Sequence, residues 1–176
     1  MISNQIEFSN HKLRLLSLSD SLFLYQLRNA DKAKRFLSIP PTSLKAQEEW
    51  LKHYKNREKK ETDFYFIAEN DDSKSIGTTR VYNISPDSFE FGSWLFLNDQ
   101  KHATRKVPIY AFLATVDWAF KKTNSGFFYT TVKPENRSMI RFHNLFKAEI
   151  VATTDRLLTT IVKRANFYAA KQQLER

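Results

Sequence analysis

FEFGSWLFLNDQKHATRKVPIYAFLATVDWAFKKTNSGFFYTTVKPENRSMIRFHNLFKA, running from Phe89 to Ala148, decides how the chain folds. It opens on a strand over residues 89–97 that carries Gly92-Ser93-Trp94. A polar, basic loop follows from Asn98 to Lys106. Next come a helix from Pro108 to Lys121, a strand over residues 127–132, and a second helix opened by Pro134-Glu135-Asn136. A right-handed crossover sets these two strand-to-helix turns side by side in parallel. Both helix N-termini, with their unpaired amides, then share one edge of the sheet. Such an edge suits a phosphate-bearing ligand.

Upstream of this stretch, residues 11–17 (HKLRLLS) alternate apolar and polar, as a half-buried strand does. Ser19 or Asp20 can cap a helix running to about Ala30. Pro40-Pro41 breaks the chain. Thr42 or Ser43 then opens a helix to about Arg57, with Gln47 placed for a capping box and Leu44, Trp50, Leu51 and Tyr54 as the apolar stripe. Strands over 63–69, 75–83 and 89–97, separated by Asn70-Asp71-Asp72 and Ser85-Pro86-Asp87, make an antiparallel meander. In the central helix, Pro108 sits in the first turn, where it costs little. Its stripe is Ile109, Phe112, Leu113, Val116 and Phe120, and Asn124-Ser125-Gly126 stops it. Downstream, strands over 149–153 and 157–162 form a hairpin around Thr154-Asp155-Arg156, and Arg164 starts a terminal helix. The order predicts a single α/β domain over residues 1–176. Its mixed central sheet has seven strands, flanked by about four helices plus a C-terminal one.

Composition narrows the chemistry. The 176 residues suffice for one full core. Only three glycines are present, so neither a GxGxxG fingerprint nor a P-loop exists. With no cysteine, disulfides, thiolate metal sites and a cysteine nucleophile are excluded. The histidines show no metal-ligand spacing, and no Ser-His-Asp arrangement is legible. Met1 to Asn10 lacks an apolar signal core, and no apolar run approaches the roughly 20 residues that span a bilayer. A soluble, cytoplasmic protein without a membrane partner is expected. The net charge of +9 favours an anionic partner, although a merely basic, solvated surface explains it equally well.

Element order and local residues together resemble the GNAT superfamily of N-acetyltransferases over essentially the whole chain. Glu90-Phe91-Gly92-Ser93-Trp94 is similar to the E-x-G-x-W of the family's fourth strand. Val116-Asp117-Trp118-Ala119-Phe120 resembles the LLDYAF that ends its next helix. Val132 through Asn136, with Ser138, Phe142 and His143, resembles the V…N…A…FYEKLGF segment. Leu27-Arg28-Asn29, Phe36-Leu37-Ser38 and Glu48-Glu49-Trp50 resemble a branch that acetylates amino sugars on nucleotide carriers. Two departures stand out. The family's pyrophosphate loop, (Q/R)-x-x-G-x-(G/A), is replaced by Lys101-His102-Ala103-Thr104-Arg105-Lys106 without glycine. The tyrosine of FYEKLGF is His143.

The resemblance implies acetyl-CoA as co-substrate, no metal, and direct transfer to a primary amine. That transfer needs a base for the amine, donors for the oxyanion and an acid for the thiolate. His143, seven residues after Asn136, is the candidate acid. An imidazolium of pKa ~6.5 protonates a thiolate of pKa ~8.5 downhill. A half-buried helix histidine is the plain alternative. Glu90 is the candidate base, directly or through a water, on the same strand face as Gly92; a solvated strand glutamate is its alternative. For the coenzyme the resemblance implies the backbone of Leu95, Phe96 and Leu97, then Thr104, Arg105, Lys106 and Val107, then Asn136 and Ser138. Arg105 and Lys106 supply charge in place of glycines. Asn136 can equally serve only to cap its helix. For the acceptor it implies Arg28, Asn29, Trp50, Tyr82 and Trp94, with Arg28 able to take a phosphate of a nucleotide-linked sugar.

Two acceptor classes stay open, an amino sugar on a nucleotide carrier and a protein N-terminus as in the ribosomal-protein branch, beside a fold that has lost catalysis. A basic nucleic-acid module is the reading from another class. Phe127, Phe128 and Tyr129 beside Lys133 and Arg137 permit it, but no nucleic-acid motif supports it, and a central strand covered on both faces argues against it. A homodimer is left open.

Overall fold

The meander strands form the middle of the sheet and are buried over runs of consecutive residues, because helices cover both faces. The computed structural model describes residues 5–36, 39–97 and 106–175. Its strands are β1 (Gln5–Phe8), β2 (His11–Leu15), β3 (Asp63–Glu69), β4 (Ser75–Tyr82), β5 (Ser88–Phe96), β6 (Phe127–Val132), β7 (Glu149–Thr153) and β8 (Leu158–Lys163). Its helices are α1 (Ser21–Asn29), α2 (Asp31–Phe36), α3 (Leu44–Lys59), α4 (Val107–Thr123), α5 (Arg137–Asn144) and α6 (Arg164–Leu174). The sheet is mixed, with strand order β1-β2-β3-β4-β5-β6-β8-β7. It has eight strands, one more than expected. The addition is β1, which pairs with β2 through a tight turn at Ser9 (φ 49°). Only Ile6 and Phe8 of its four residues turn inward, too short an alternation to read in sequence. The short α2 was likewise unforeseen.

Two layers of helix cover the sheet. On one face α4, α5 and α6 bury an aromatic core. Phe112 touches Phe91, Phe128, Phe142, Phe146 and Phe167, with ring centroids 4.9–6.2 Å apart, mostly edge-on as the ring quadrupoles favour. On the other face α1 and α3 cover β3, with Leu16, Leu24, Leu51, Tyr54, Tyr65 and Ile67 buried. Asp20 stands at the N-cap of α1, yet its carboxylate does not cap. It accepts from both terminal guanidinium nitrogens of Arg14, at 2.7 and 2.8 Å, and from the Ser17 amide instead.

Topology opens the sheet at its centre. β5 runs parallel to β6 only through Ser88, Phe89 and Glu90. Beyond Glu90 no pairing joins them among the described residues, and β6 continues with β8 alone. The splay begins next to a bulge in β5, where Ser93 has φ 49° and the register with β4 shifts. A bulge bends its strand and increases local twist, turning the rest of β5 away from β6.

Candidate functional site

Glu90 sits at the apex of the splay and is only 6% exposed. Three neutral donors hold its carboxylate: the Tyr82 hydroxyl at 2.8 Å on Oε1, the Asn83 amide at 2.8 Å on Oε2, and the Thr131 hydroxyl at 3.3 Å on Oε1. The strands dictate this cluster. Tyr82 is the cross-strand partner of Glu90 in β4, and Thr131 lies two residues beyond its β6 partner Tyr129. Gly92 makes room for it, since a Cβ there would lie 2.9 Å from the Tyr82 hydroxyl. Burial, then the Glu90 charge, raises the Tyr82 phenol well above its ordinary pKa, and the same two causes raise Tyr129. Tyr82 therefore stays a neutral hydroxyl at any working pH.

A cavity of about 620 Å³ opens between this cluster and the α1–α3 layer. Arg28 and Phe36, Pro40 to Thr42, Gln47 and Trp50 of α3, and Arg80 and Tyr82 of β4 line it. Gly92, Thr131 and Lys133 close the splay side. Glu90 itself is not among the lining residues, whereas its partners Tyr82 and Thr131 are. The carboxylate thus meets the cavity through two hydroxyls. The aromatic wall is braced from behind. The Arg80 guanidinium lies 4.3 Å from the Tyr82 ring centroid and 5.2 Å from that of Trp50, while Asp63 grips it at 2.6 and 2.9 Å. A second cavity of similar volume lies between β1 and α4–α6. The Asp117 carboxylate in its wall is engaged by Lys121 at 2.8 Å and Lys171 at 3.1 Å.

The structure brings together Arg28, Trp50, Tyr82 and Glu90, and separates other expected residues from them. Asn29 is a tie behind the wall; its amide donates to the carbonyls of Tyr25 and Pro41. Trp94 faces the opposite side of the sheet, against Phe91, Phe112 and Phe142, and its indole donates to the Pro108 carbonyl at 2.9 Å. The bulge at Ser93 reverses the alternation that would have kept it beside Gly92. Tyr82, Thr131 and Asn83 as ligands of Glu90, and Gln47 and Lys133 in the cavity wall, were not read from the sequence. Cross-strand register brings Tyr82 and Thr131 to Glu90, and the packing of α3 on the sheet brings Gln47 to the cavity.

His143 does not fit the role of an imidazolium acid. Its ring is 2% exposed, with Nδ1 3.3 Å from the Thr160 hydroxyl, and burial lowers its pKa to about 4. At neutral pH it is an uncharged imidazole inside the α5–β8 packing. Asn136 accepts from the Met139 amide at 3.3 Å and from the Ser138 hydroxyl at 3.0 Å, so it caps α5.

The edge expected for the coenzyme is present in outline. The Leu97 amide donates to the Ile76 carbonyl, so alternation aims the backbone groups of Leu95 and Leu97 at β4 and those of Phe96 into the splay. Leu95 buries its side chain against Leu27 and Ala33. Across the splay, α4 begins at Val107, whose side chain is in the core, with Lys106 exposed at the N-cap. Thr104 and Arg105 lie outside the described residues. An open strand edge facing a 17-residue helix's N-terminus fits an extended amide chain that ends in phosphate. Among the described residues no cluster of three or more His, Asp or Glu could hold a metal, and no helix is long and apolar enough to cross a membrane.

Residues 11–145 match the family model described as "Acetyltransferase (GNAT) domain". Among solved structures the chain is similar to apo FdhC, a nucleotide-linked sugar GNAT. The two share 28% identity at a TM-score of 0.85, over 98% of this chain and 97% of that one. It is also similar to the ribosomal-protein-S5-alanine acetyltransferase of Vibrio fischeri, with 17% identity, TM-score 0.72, and 94% and 99% of the two chains covered. The spermidine N-acetyltransferase of Vibrio cholerae, in complex with CoA and spermine, gives 17%, 0.73, 90% and 98%. At that identity the last two speak to the fold alone. No curated protein matches the sequence. The chain belongs to the GNAT acetyltransferase family and is an N-acetyltransferase.

Proposed function

We propose that the protein transfers the acetyl group of acetyl-CoA directly to a primary amine held in the Trp50–Tyr82 cavity, and that this amine belongs to an amino sugar on a nucleotide carrier. The observation that carries the reading is the cavity's make-up: aromatic walls, cationic side chains from Arg28, Arg80 and Lys133, and hydroxyls leading to a buried carboxylate. With Arg80 paired to Asp63, the Arg28 and Lys133 charges favour a diphosphate-bearing acceptor over a polyamine, since like charges in a partly enclosed site repel. The sugar-nucleotide GNAT among the similar structures agrees with this choice. A protein N-terminus is the competing acceptor.

In this reading acetyl-CoA supplies the activated acetyl thioester. The open backbone edge at Phe96 receives its amide chain, and the start of α4 with Lys106 lies towards its phosphates, Thr104 and Arg105 assisting. Glu90 takes one proton from the acceptor ammonium through the Tyr82 hydroxyl, which donates to Oε1 while its lone pair accepts from the amine. The freed amine forms the C–N bond as the C–S bond breaks. The remaining excess proton on nitrogen goes to the departing sulfur, and Glu90 returns its proton to solvent. A positioned base of this kind contributes about 10²- to 10⁴-fold.

Titration of acetyl-CoA into the protein at moderate salt, with ADP as control, tests the coenzyme half. Saturable binding of acetyl-CoA well beyond that of ADP is expected. Thiol release with nucleoside-diphosphate amino hexoses, N-terminal peptides and spermidine then tests the acceptor. Turnover of peptides alone overturns the sugar reading in favour of the N-terminal one.

A further inference from the structure

Gln47 is 2% exposed and lines the acceptor cavity. Its backbone amide bonds to Ser43, but no hydrogen bond to its side-chain amide is present among the described residues. It does not complete a capping box: Ser43 is the N-cap and bonds the Ala46 amide, so Gln47 lies one residue beyond the box position. Neither amide atom is among the fully enclosed unpaired polar atoms of the described residues, so its two donors and one acceptor are open to the cavity. Trp50 lies one turn along the same face of α3 and lines the same cavity. The Gln47 amide thus offers the cavity two donors and an acceptor that no described residue takes, which is how a site engages a ring bearing hydroxyls.

We propose that Gln47 determines acceptor specificity by hydrogen-bonding a neutral hydroxyl or carbonyl of the acceptor's sugar ring. The assignment rests on the proposed function and deepens it. Spermidine carries no such group and leaves the amide unpaired. A site built to bond a hydroxyl rejects an analogue that lacks it far more strongly than an apolar pocket rejects a lost methylene.

The test is Gln47→Met, which keeps the volume and removes the amide, assayed with nucleoside-diphosphate amino hexoses. The KM for the amino hexose is expected to rise about 10-fold or more with kcat within a few-fold, as when binding common to ground and transition states is lost. The KM for acetyl-CoA is expected to stay put, and Tm to hold or rise, because no intramolecular bond is removed. Gln47→Glu, which keeps shape and acceptor oxygens but loses both donors, should also raise the sugar KM and guards against a folding defect in the first variant. An unchanged sugar KM in both variants assigns the amide to a buried water and overturns the proposal. So does a wild-type enzyme that prefers spermidine. A wild type that acetylates no amine, in contrast, fails the functional reading itself.

Discussion

Glu90 is the residue proposed as base, held at the splay by three neutral donors. Replacing it by Gln leaves shape and burial intact. Glu90→Gln is expected to lower kcat about 100-fold or more while acetyl-CoA affinity stays within two-fold. Tyr82→Phe removes the hydroxyl between cavity and carboxylate and is expected to cost about 10- to 100-fold, with Glu90→Gln and Tyr82→Phe sub-additive in a double-mutant cycle. His143 predicts a different observable. Folded, it is a neutral imidazole with a pKa of about 4 against an ordinary 6.5. The unfolded chain therefore binds the extra proton first. The contribution to stability is complete above pH 6.5 and drains as pH falls towards 4, about 3 kcal/mol in all. Urea unfolding at pH 7 and pH 4.5 should show this loss, and His143→Phe should flatten it. The same variant is expected to retain kcat within about 10-fold between pH 7 and 9, where an imidazolium acid would not.

At the scale of elements, β5 does the positioning, and its two glycine contacts show how tightly. Gly77 of β4 faces Phe96 so closely that an added Cβ would stand 2.6 Å from the Leu95 carbonyl oxygen and 2.4 Å from the Phe96 ring. Gly77→Ala must push the β4–β5 ladder apart and is expected to cost about 1–3 kcal/mol, read as a lower urea midpoint. Gly92→Ala acts on function instead. It forces the Tyr82 phenol off Glu90 and is expected to reduce kcat with a smaller change in Tm. The elements themselves were largely legible, because turn residues separate the apolar runs of β3 to β5 and α4 carries a helical apolar stripe. Two things hid. Four residues of β1 alternate too briefly to read, and the bulge at Ser93 comes from a non-glycine residue at positive φ, which no pattern announces. The bulge moved Trp94 to the other face. Its neighbours in sequence, Glu90 and Gly92, were read on their true face because they precede it.

For the molecule as a whole, topology and charge point the same way. A net charge of +9 by itself fits many anions, polynucleotides included. The aromatics offered for stacking bases do not serve that end: Phe128 is fully buried between the helical layer and the sheet, and Phe127 and Tyr129 are half-buried. We propose that the charge serves a small phosphate-bearing substrate in the cavity between the layers instead. The central claim is acetyl transfer to a nucleotide-linked amino sugar with Glu90 as base. It is tested most directly by thiol release from acetyl-CoA in the presence of nucleoside-diphosphate amino hexoses, compared between wild type and Glu90→Gln. The expected result is saturable turnover by the wild type and a loss of at least about 100-fold in the variant, both proteins folded and both binding acetyl-CoA. Equal rates in the two proteins, or no turnover of any amino hexose by a wild type that binds acetyl-CoA, would contradict it.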